Sequence, residues 1–244
     1  MSDQPKERIA KVMARAGLCS RRDAERWIAD GRVSVNGKIL DTPAFKVGET
    51  DDIIVDGHPL PSKQNTRVWL YNKPIGLVTS ARDEKGRMTV FDDMPRDMPR
   101  VISVGRLDIN SEGLLILTND GEFARALELP SNAFDRTYRV RVLGDLDLKK
   151  LNALKHGITI DGVRYGSITV VAEDPRRQGA NHWLRVTLQE GKNREIRRVM
   201  EAVDLNVNRL VRLSYGPFEL GRLEKGMVEE ISPDRIQSVL KGIK

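Results

Sequence analysis

The chain has 244 residues, of which 41 are Lys or Arg and 35 are Asp or Glu, so its net charge is +6. At about 150 residues per domain, this length predicts one large domain and one small one. Hydrophobic residues make up 39% of the chain and aromatic residues 5%. This composition is typical of a soluble globular protein and excludes a disordered tail and a membrane protein.

Residues that bind metals are sparse. The single cysteine, Cys19, excludes an intramolecular disulfide and a multi-cysteine zinc site, and the histidines His58, His156 and His182 lie far apart in the sequence. We therefore expect no metal site. The N-terminus is polar, and the densest apolar run, residues 114–117, is too short to span a bilayer. We expect a cytoplasmic protein that does not contact a membrane.

The N-terminal charge is asymmetric. From Lys6 to Lys38 there are nine basic residues and four acidic ones, whereas from Asp41 to Asp56 there are five acidic residues and one lysine. One face of this region should therefore be basic and one edge acidic. Such an arrangement suits a surface that faces phosphates.

The first 60 residues predict two helices and a hairpin. Apolar residues at helical spacing indicate a helix that ends before Gly17. Ser20 and Asp23 form a capping-box pattern that begins a second helix, which should stop at Gly31. Alternating valines then lead to Asn36–Gly37, a residue pair that favours a tight hairpin turn.

The order RIAKVMARAGLCSRRDAERWIADGRVSVNG resembles the S4 RNA-binding domain, which we place at residues 7–65. In that family the second helix and the turn before it face RNA. The resemblance therefore implies that four arginines lie near phosphates: Arg21, Arg22, Arg26 and Arg32. Without the resemblance, a solvated helix face would be the ordinary interpretation of these residues.

A polar segment with two prolines, PLPSKQNT at residues 59–66, is typical of a linker, and we place the domain boundary near residue 65. The rest of the chain predicts short strands at VWLYN, GLVTS, VISVG, GLLILT, TYRVRV, SITVVAED and HWLRVTL. Helical patterns occur at residues 122–129, 148–156, 193–202 and 233–241. Because strands outnumber helices and do not alternate with them, we expect an α+β domain with a mixed, mainly antiparallel sheet.

Asp108 follows a predicted strand, in the segment GRLDINSEGLL. An aspartate in such a turn usually accepts hydrogen bonds from backbone amides. The segment, however, resembles the signature that contains the catalytic aspartate of RNA pseudouridine synthases, in the RsuA-like group that also carries an N-terminal S4 domain. Further blocks resemble the same group: YNKPIGLVTS, RTYRVRV, EGKNREIRRVM and RLVRLSYGPFEL. We therefore expect a pseudouridine synthase domain at residues 66–244.

The implied reaction moves uracil from an N1 to a C5 bond with ribose, with no net redox change and no water consumed. The resemblance makes Asp108 the nucleophile. Chemically, an ionised aspartate can either form a covalent intermediate, as in a nucleophilic glycosidase, or stabilise positive charge that develops at the sugar. A second carboxylate is not required, and the nearby Glu112 could simply be a solvent-facing turn residue. No cofactor is implied.

Four other residues acquire roles from the resemblance. A carboxylate buried under a base needs a cation to stay ionised, and Arg197 occupies the family position that pairs with the acid. Tyr138 would stack on the flipped uracil, whereas a tyrosine in a strand is more often part of the core. Lys192 and Arg106 would help to place the substrate. From the pattern alone, the more ordinary interpretation of Arg197 and its neighbours is an amphipathic helix with solvated arginines.

The S4 segment and EGKNREIRR most resemble the bacterial synthases that modify large-subunit ribosomal RNA. We therefore expect ribosomal RNA, free or in a pre-ribosomal particle, as the partner of a monomeric enzyme. Synthases for small-subunit or transfer RNA remain alternatives, as does a non-catalytic RNA-binding or ribosome-assembly protein. A glycoside hydrolase is remote, because it needs paired carboxylates.

Overall fold

The structure, a computed structural model, describes residues 6–174 and 179–242. The chain divides into two compact units. The smaller contains residues 6–66 together with Asp97–Val101 and Asn119–Gly121, and the larger contains most of the remainder from Arg67 onward. Of the expected catalytic domain, residues 175–178 and 243–244 lie outside the described residues.

The smaller unit combines two helices with six short strands. The elements are β1 (Glu7–Arg8), α1 (Ile9–Arg15), α2 (Arg21–Ala29), β2 (Val33–Val35), β3 (Lys38–Ile39), β4 (Lys46–Val47), β5 (Ile53–Val55) and β6 (His58–Pro59). Four strands form a sheet in the order β3-β2-β5-β6, and β1 pairs with β4. Apolar side chains of both helices and of the sheet form one core.

Local sequence signals explain these elements. The Ser20 hydroxyl accepts a hydrogen bond from the Asp23 amide at 3.0 Å, and the reciprocal bond completes the capping box that begins α2. Asn36 and Gly37 both have positive φ angles, 50° and 78°, as the tight turn between β2 and β3 requires. The predicted helices and hairpin of this region are confirmed.

Except for Gly121 at the start of α3, the larger unit carries the remaining strands and α-helices, together with two short 3-10 helices at Pro130–Asn132 and Leu154–His156. The strands and α-helices are β7 (Val68–Lys73), β8 (Ile102–Val104), β9 (Glu112–Thr118), α3 (Gly121–Glu128), β10 (Arg136–Leu143), α4 (Leu148–Ala153), β11 (Ile158–Ile160), β12 (Val163–Tyr165), β13 (Ile168–Ala172), β14 (Asn181–Leu188), α5 (Glu195–Glu201), β15 (Asn206–Tyr215), β16 (Phe218–Glu219), β17 (Val228–Glu230) and α6 (Pro233–Gly242). Within the described ranges, every helix is too short or too polar to cross a membrane.

A sheet runs through this unit in the order β13-β14-β10-β15-β9-β7-β17, with β8 on β9 and β16 on β15. Only the β15–β9 pair is parallel among the described pairs, so the expected mixed, mainly antiparallel sheet is confirmed. At this pair the two backbones approach closely: a Cβ on Gly113, whose φ is +95°, would lie 2.3 Å from the Arg212 carbonyl oxygen. Glycine is therefore required where β9 begins.

One predicted strand does not form, and several observed strands, of which β15 is the longest, were not predicted. The GLVTS segment is not a strand, because it forms only an isolated bridge between Val78 and Thr89, and the Thr79 hydroxyl bonds the Leu107 carbonyl of another loop. The ten-residue strand β15 was not predicted. Its arginines interrupt the apolar alternation that would have marked it, although Arg212 is itself buried.

Candidate active site

Asp108 lies in the loop of residues 105–111, between β8 and β9, and is half-buried. Neighbouring groups fix the loop backbone. The Asp108 carbonyl accepts a hydrogen bond from the Ser111 amide at 2.9 Å and one from Lys73 Nζ at 3.3 Å. The Thr79 hydroxyl donates to the Leu107 carbonyl at 2.8 Å. These bonds hold the backbone from which the Asp108 carboxylate projects.

Lys73, the last residue of β7, has no solvent exposure. Its ammonium group donates to the carbonyls of Pro74 at 2.9 Å and Ser111 at 3.0 Å as well as to that of Asp108. Burial lowers its pKa to about 8, although the negative charges of Asp108 and Glu112 act in the opposite direction. Sequence reasoning did not single out Lys73. A charged residue at the end of an otherwise apolar strand was the available signal.

A pocket of about 280 Å³ brings together four residues expected in the site: Arg106, Asp108, Tyr138 and Lys192. A neighbouring pocket of about 600 Å³ shares Arg106, Tyr138 and Lys192 with it. These four residues give the smaller cavity a carboxylate, an aromatic ring and two cations, and Arg194 and Glu195 also line it. This combination can hold a planar polar base and an anionic backbone against a nucleophile.

Tyr138 belongs to β10 and is 8% exposed. It stands opposite Val186 of β14 and Arg212 of β15. The strand register therefore fixes its backbone on both sides, while the ring contributes to the walls of both pockets. A ring held by its strand can receive a stacked base at a low cost in conformational entropy.

Arg197 of α5 is half-buried and binds the backbone of the Asp108 loop. Its Nη2 donates to the Asn110 carbonyl at 2.9 Å and its Nη1 to the Val207 carbonyl at 3.0 Å, while Nε is buried without a partner among the described residues. Burial and Arg194 lower the pKa of Arg197, whereas the charge of Asp108 raises it. Arg197 thus interacts with the Asp108 carboxylate through its charge and with the loop through the backbone, and the described contacts include no direct ion pair between the two side chains.

The interpretation of Glu112 as a solvent-facing turn residue was wrong. Glu112 is the first residue of β9 and is 4% exposed. Burial favours its neutral form, but hydrogen bonds from Arg209 at 2.7 Å and from Lys225, whose Nζ lies 2.5 Å away, lower its pKa. Its ion pairs explain why a carboxylate is tolerated at this buried position. They join β9, β15 and the segment before β17.

The four arginines predicted to face RNA are all exposed in the smaller unit. They differ in their partners. Arg21 and Arg22 have no charged partner among the described residues, and Arg26 forms an ion pair with Asp23. Arg32 makes a two-bond contact with Asp56, with distances of 2.8 and 2.5 Å, and its guanidinium lies 4.6 Å from the centre of the Trp27 ring. Arg32 is therefore less available to phosphates than Arg21 or Arg22.

The profile of the RNA pseudouridylate synthase family matches residues 67–202, and that of the S4 domain matches residues 7–53. The first match covers more than half of the chain. The chain belongs to the RNA pseudouridylate synthase family. The predicted family, with its S4 domain, is confirmed, and the protein is an RNA-modifying isomerase of that family.

Related proteins agree with the assignment. The chain is 44% identical over 226 residues to an "uncharacterized RNA pseudouridine synthase" of Rickettsia felis, across 93% of this chain and 97% of the relative. It is 42% identical over 237 residues to "ribosomal large subunit pseudouridine synthase B" of Pseudomonas aeruginosa, across 94% of this chain and 61% of that protein. A crystal structure of a pseudouridylate synthase shares the fold, with a TM-score of 0.67, 24% identity and coverage of 94% and 98% of the two chains.

Proposed function

We propose that this pseudouridine synthase converts a specific uridine of large-subunit ribosomal RNA to pseudouridine, with Asp108 as the nucleophile. The relatives named for the large ribosomal subunit, at 41 to 42% identity in Pseudomonas aeruginosa and Yersinia pestis, support this substrate. We further propose that the enzyme acts as a monomer in the cytoplasm. RNA is the substrate class of the family, so the proposal concerns which RNA is bound and which residues react.

One observation carries the proposal: the pocket of about 280 Å³ contains both the Asp108 carboxylate and the Tyr138 ring. Its size suits one nucleobase and part of its ribose. A uridine in folded RNA must leave its helix to reach such a cavity, at a cost of a few kcal/mol. Stacking on Tyr138 recovers part of this cost, since an aromatic platform contributes about 1–3 kcal/mol per base.

The reaction balances without a cofactor or water. An ionised Asp108 attacks C1′ of the ribose, the N1–C1′ bond breaks, and its electron pair leaves with the uracil. The detached base turns in the pocket, and C5 then bonds to C1′ while the Asp108 ester is released. The proton on C5 departs and N1 gains one, so the product is an isomer of the substrate.

The basic residues of the site have different proposed roles in binding the substrate and in supporting Asp108. Arg106 is exposed two positions before Asp108, and the exposed Lys192 lines the same pocket. Both can contact the phosphates that flank the target nucleotide. Arg197 keeps Asp108 ionised by its charge and fixes the loop through Asn110. In the S4 domain, Arg21, Arg22, Arg26 and Arg32 contribute further phosphate contacts.

The experiment is pseudouridine mapping of ribosomal RNA from cells that lack the protein, complemented with the wild type or with Asp108→Asn. The proposal predicts that one large-subunit site disappears and that only the wild type restores it. Loss of a small-subunit site instead would preserve the chemistry and overturn the substrate. If Asp108→Asn restores every site that the wild type restores, the proposed nucleophile is wrong.

A further inference from the structure

Glu195, the first residue of α5, is a buried acid in the wall of the pocket that contains Asp108. It is 4% exposed, and residues 191–195 all line that pocket. One carboxyl oxygen, Oε2, accepts a hydrogen bond from the Lys192 amide at 2.9 Å. The other, Oε1, is buried without a partner among the described residues. A buried carboxylate oxygen without a donor is unfavourable, so this arrangement suggests that the group carries a proton.

A second acid lies beside it. The carboxyl group of Glu190 is within hydrogen-bonding reach of that of Glu195. It also accepts a hydrogen bond from the Gly166 amide at 3.2 Å and pairs with the ammonium group of Lys192. Two ionised carboxylates at this distance repel each other, whereas one shared proton turns the contact into a hydrogen bond.

The surroundings decide which acid holds the proton. Lys192 lowers the pKa of Glu190, which therefore stays ionised. Burial, with the added charge of Glu190, raises the pKa of Glu195 to about 7. Further charged or titratable groups face the same pocket or the adjoining loop: Arg106, Asp108, Arg136, Tyr138, Tyr165 and Arg194.

The loop between the two acids depends on such contacts. Arg194 precedes α5 with a φ angle of 51°, in the left-handed region that side chains with a Cβ adopt at a cost. No side chain caps α5 at this residue. The contacts among Glu190, Lys192 and Glu195 therefore hold the loop in place, together with the hydrogen bond from Arg136 to the Glu190 carbonyl.

We propose that Glu195 is a positioning residue: in its neutral form it donates a hydrogen bond to Glu190 and so holds the 190–195 loop, with Lys192, in the substrate-binding geometry. This inference rests on the proposed function, because Lys192 acts there on the RNA. When Glu195 loses its proton, the two carboxylates repel, the loop leaves its geometry, and RNA binding weakens. The loss of activity appears in KM rather than in kcat.

The test is the pH dependence of kcat/KM on a large-subunit rRNA transcript for the wild type and for Glu195→Gln, Glu195→Ala and Glu201→Gln. Glutamine keeps a neutral donor at every pH, alanine removes the contact, and Glu201 is an exposed residue of the same helix. Between pH 6 and pH 8, the neutral fraction of a group with a pKa near 7 falls about tenfold, whereas Lys73, with its pKa of about 8, stays about half protonated and lowers the activity of every variant by only about twofold. The wild type and Glu201→Gln should lose up to about that factor, Glu195→Gln about threefold or less, and Glu195→Ala should bind RNA weakly at both pH values.

An equal alkaline loss in Glu195→Gln and the wild type would overturn the inference, as would a decline confined to kcat. If Glu195→Ala does not fold, as judged by circular dichroism, the comparison of Glu195→Gln with the wild type decides the question. A wild type that modifies no uridine at pH 6 would instead overturn the proposed function. An active wild type whose alkaline decline persists in Glu195→Gln would leave that function intact and remove only the role of Glu195.

Discussion

The ammonium group of Lys73 donates a hydrogen bond to the main-chain carbonyl of Asp108 over 3.3 Å, from a side chain with no solvent exposure. Two further carbonyls, those of Pro74 and Ser111, complete its set of acceptors. An ammonium group has three donors, so all of them are engaged. The end of β7 is thereby tied to the loop that carries the proposed nucleophile.

Replacing Lys73 by methionine should therefore damage both stability and activity. Methionine fills a similar volume but removes the ammonium donor from three backbone carbonyls, of which that of Asp108 keeps only the Ser111 amide. We expect Lys73→Met to lower the free energy of unfolding by about 2–4 kcal/mol and to abolish most activity, because the Asp108 loop loses its anchor. Urea denaturation and an rRNA modification assay measure the two effects.

Lys155→Met is the matched control, since Lys155 is exposed in the same unit. It should change the free energy of unfolding by less than about 0.5 kcal/mol. Wild-type stability and activity in Lys73→Met would contradict the anchoring role.

The ring of Tyr138, rather than its hydroxyl group, should support the substrate. Tyr138→Phe keeps the aromatic face and is expected to retain activity within about threefold, whereas Tyr138→Leu should lose about 10- to 100-fold in kcat/KM, the equivalent of about 1–3 kcal/mol of stacking. Steady-state kinetics on an rRNA transcript provide the comparison. Equal losses in both variants would assign the role to the hydroxyl group instead.

The S4 arginines should contribute to RNA affinity according to their partners. In Arg21→Gln/Arg22→Gln, the Kd for rRNA should rise, and the slope of log Kd against log salt should fall by about 1.5, because each lost phosphate contact changes the slope by about 0.7–0.9. Filter binding over a range of KCl concentrations measures this slope.

Arg32→Gln offers a contrast on the same surface. Its guanidinium is already paired with Asp56. Arg32→Gln should therefore change the salt slope by less than half of the change in the Arg21→Gln/Arg22→Gln double variant. A larger effect of Arg32 than of Arg21 and Arg22 together would show that the ion pair opens on binding RNA.

Glu195 should also make the stability of the protein depend on pH. Its pKa is raised from 4.5 to about 7 in the folded state, so the folded state binds more protons than the unfolded chain between these values. Its stabilising contribution is complete below pH 4.5 and is lost as the pH rises through about 7. Between pH 5 and pH 8, the wild type should lose roughly 2 kcal/mol relative to Glu195→Gln. Urea denaturation at both pH values measures this difference. An equal change in the free energy of unfolding of the wild type and of Glu195→Gln would contradict the raised pKa of Glu195.

Much of the fold was predictable because its signals are local. The capping box at Ser20, the Asn36–Gly37 turn and the apolar face of α5 each follow from residues within a few positions of one another. The parallel pairing of β15 with β9 was not predictable, since it joins residues about 100 positions apart. The sequence shows only Gly113 at this pairing, and the need for a glycine there becomes clear only when the backbone of Arg212 lies beside it.

Some residues of the site were predictable from the sequence and others were not. Motif resemblance gave Arg106, Asp108, Tyr138 and Lys192, which share one pocket. The buried environments of Lys73, Glu112 and Glu195 could not be inferred. Charged residues are exposed in most folded proteins, so their burial cannot be inferred from the sequence. Only the contacts of the folded chain reveal the partners that allow it.

The most direct test of the central claim is single-turnover pseudouridine formation by the purified protein on an unmodified large-subunit rRNA transcript, with Asp108→Asn compared with the wild type. Asparagine preserves the shape of the side chain but is a poor nucleophile. The account predicts one modified uridine with the wild type and a rate at least about 1,000-fold lower with Asp108→Asn, while both proteins bind the RNA with similar Kd. Modification of the same uridine by Asp108→Asn at a rate near that of the wild type would contradict it.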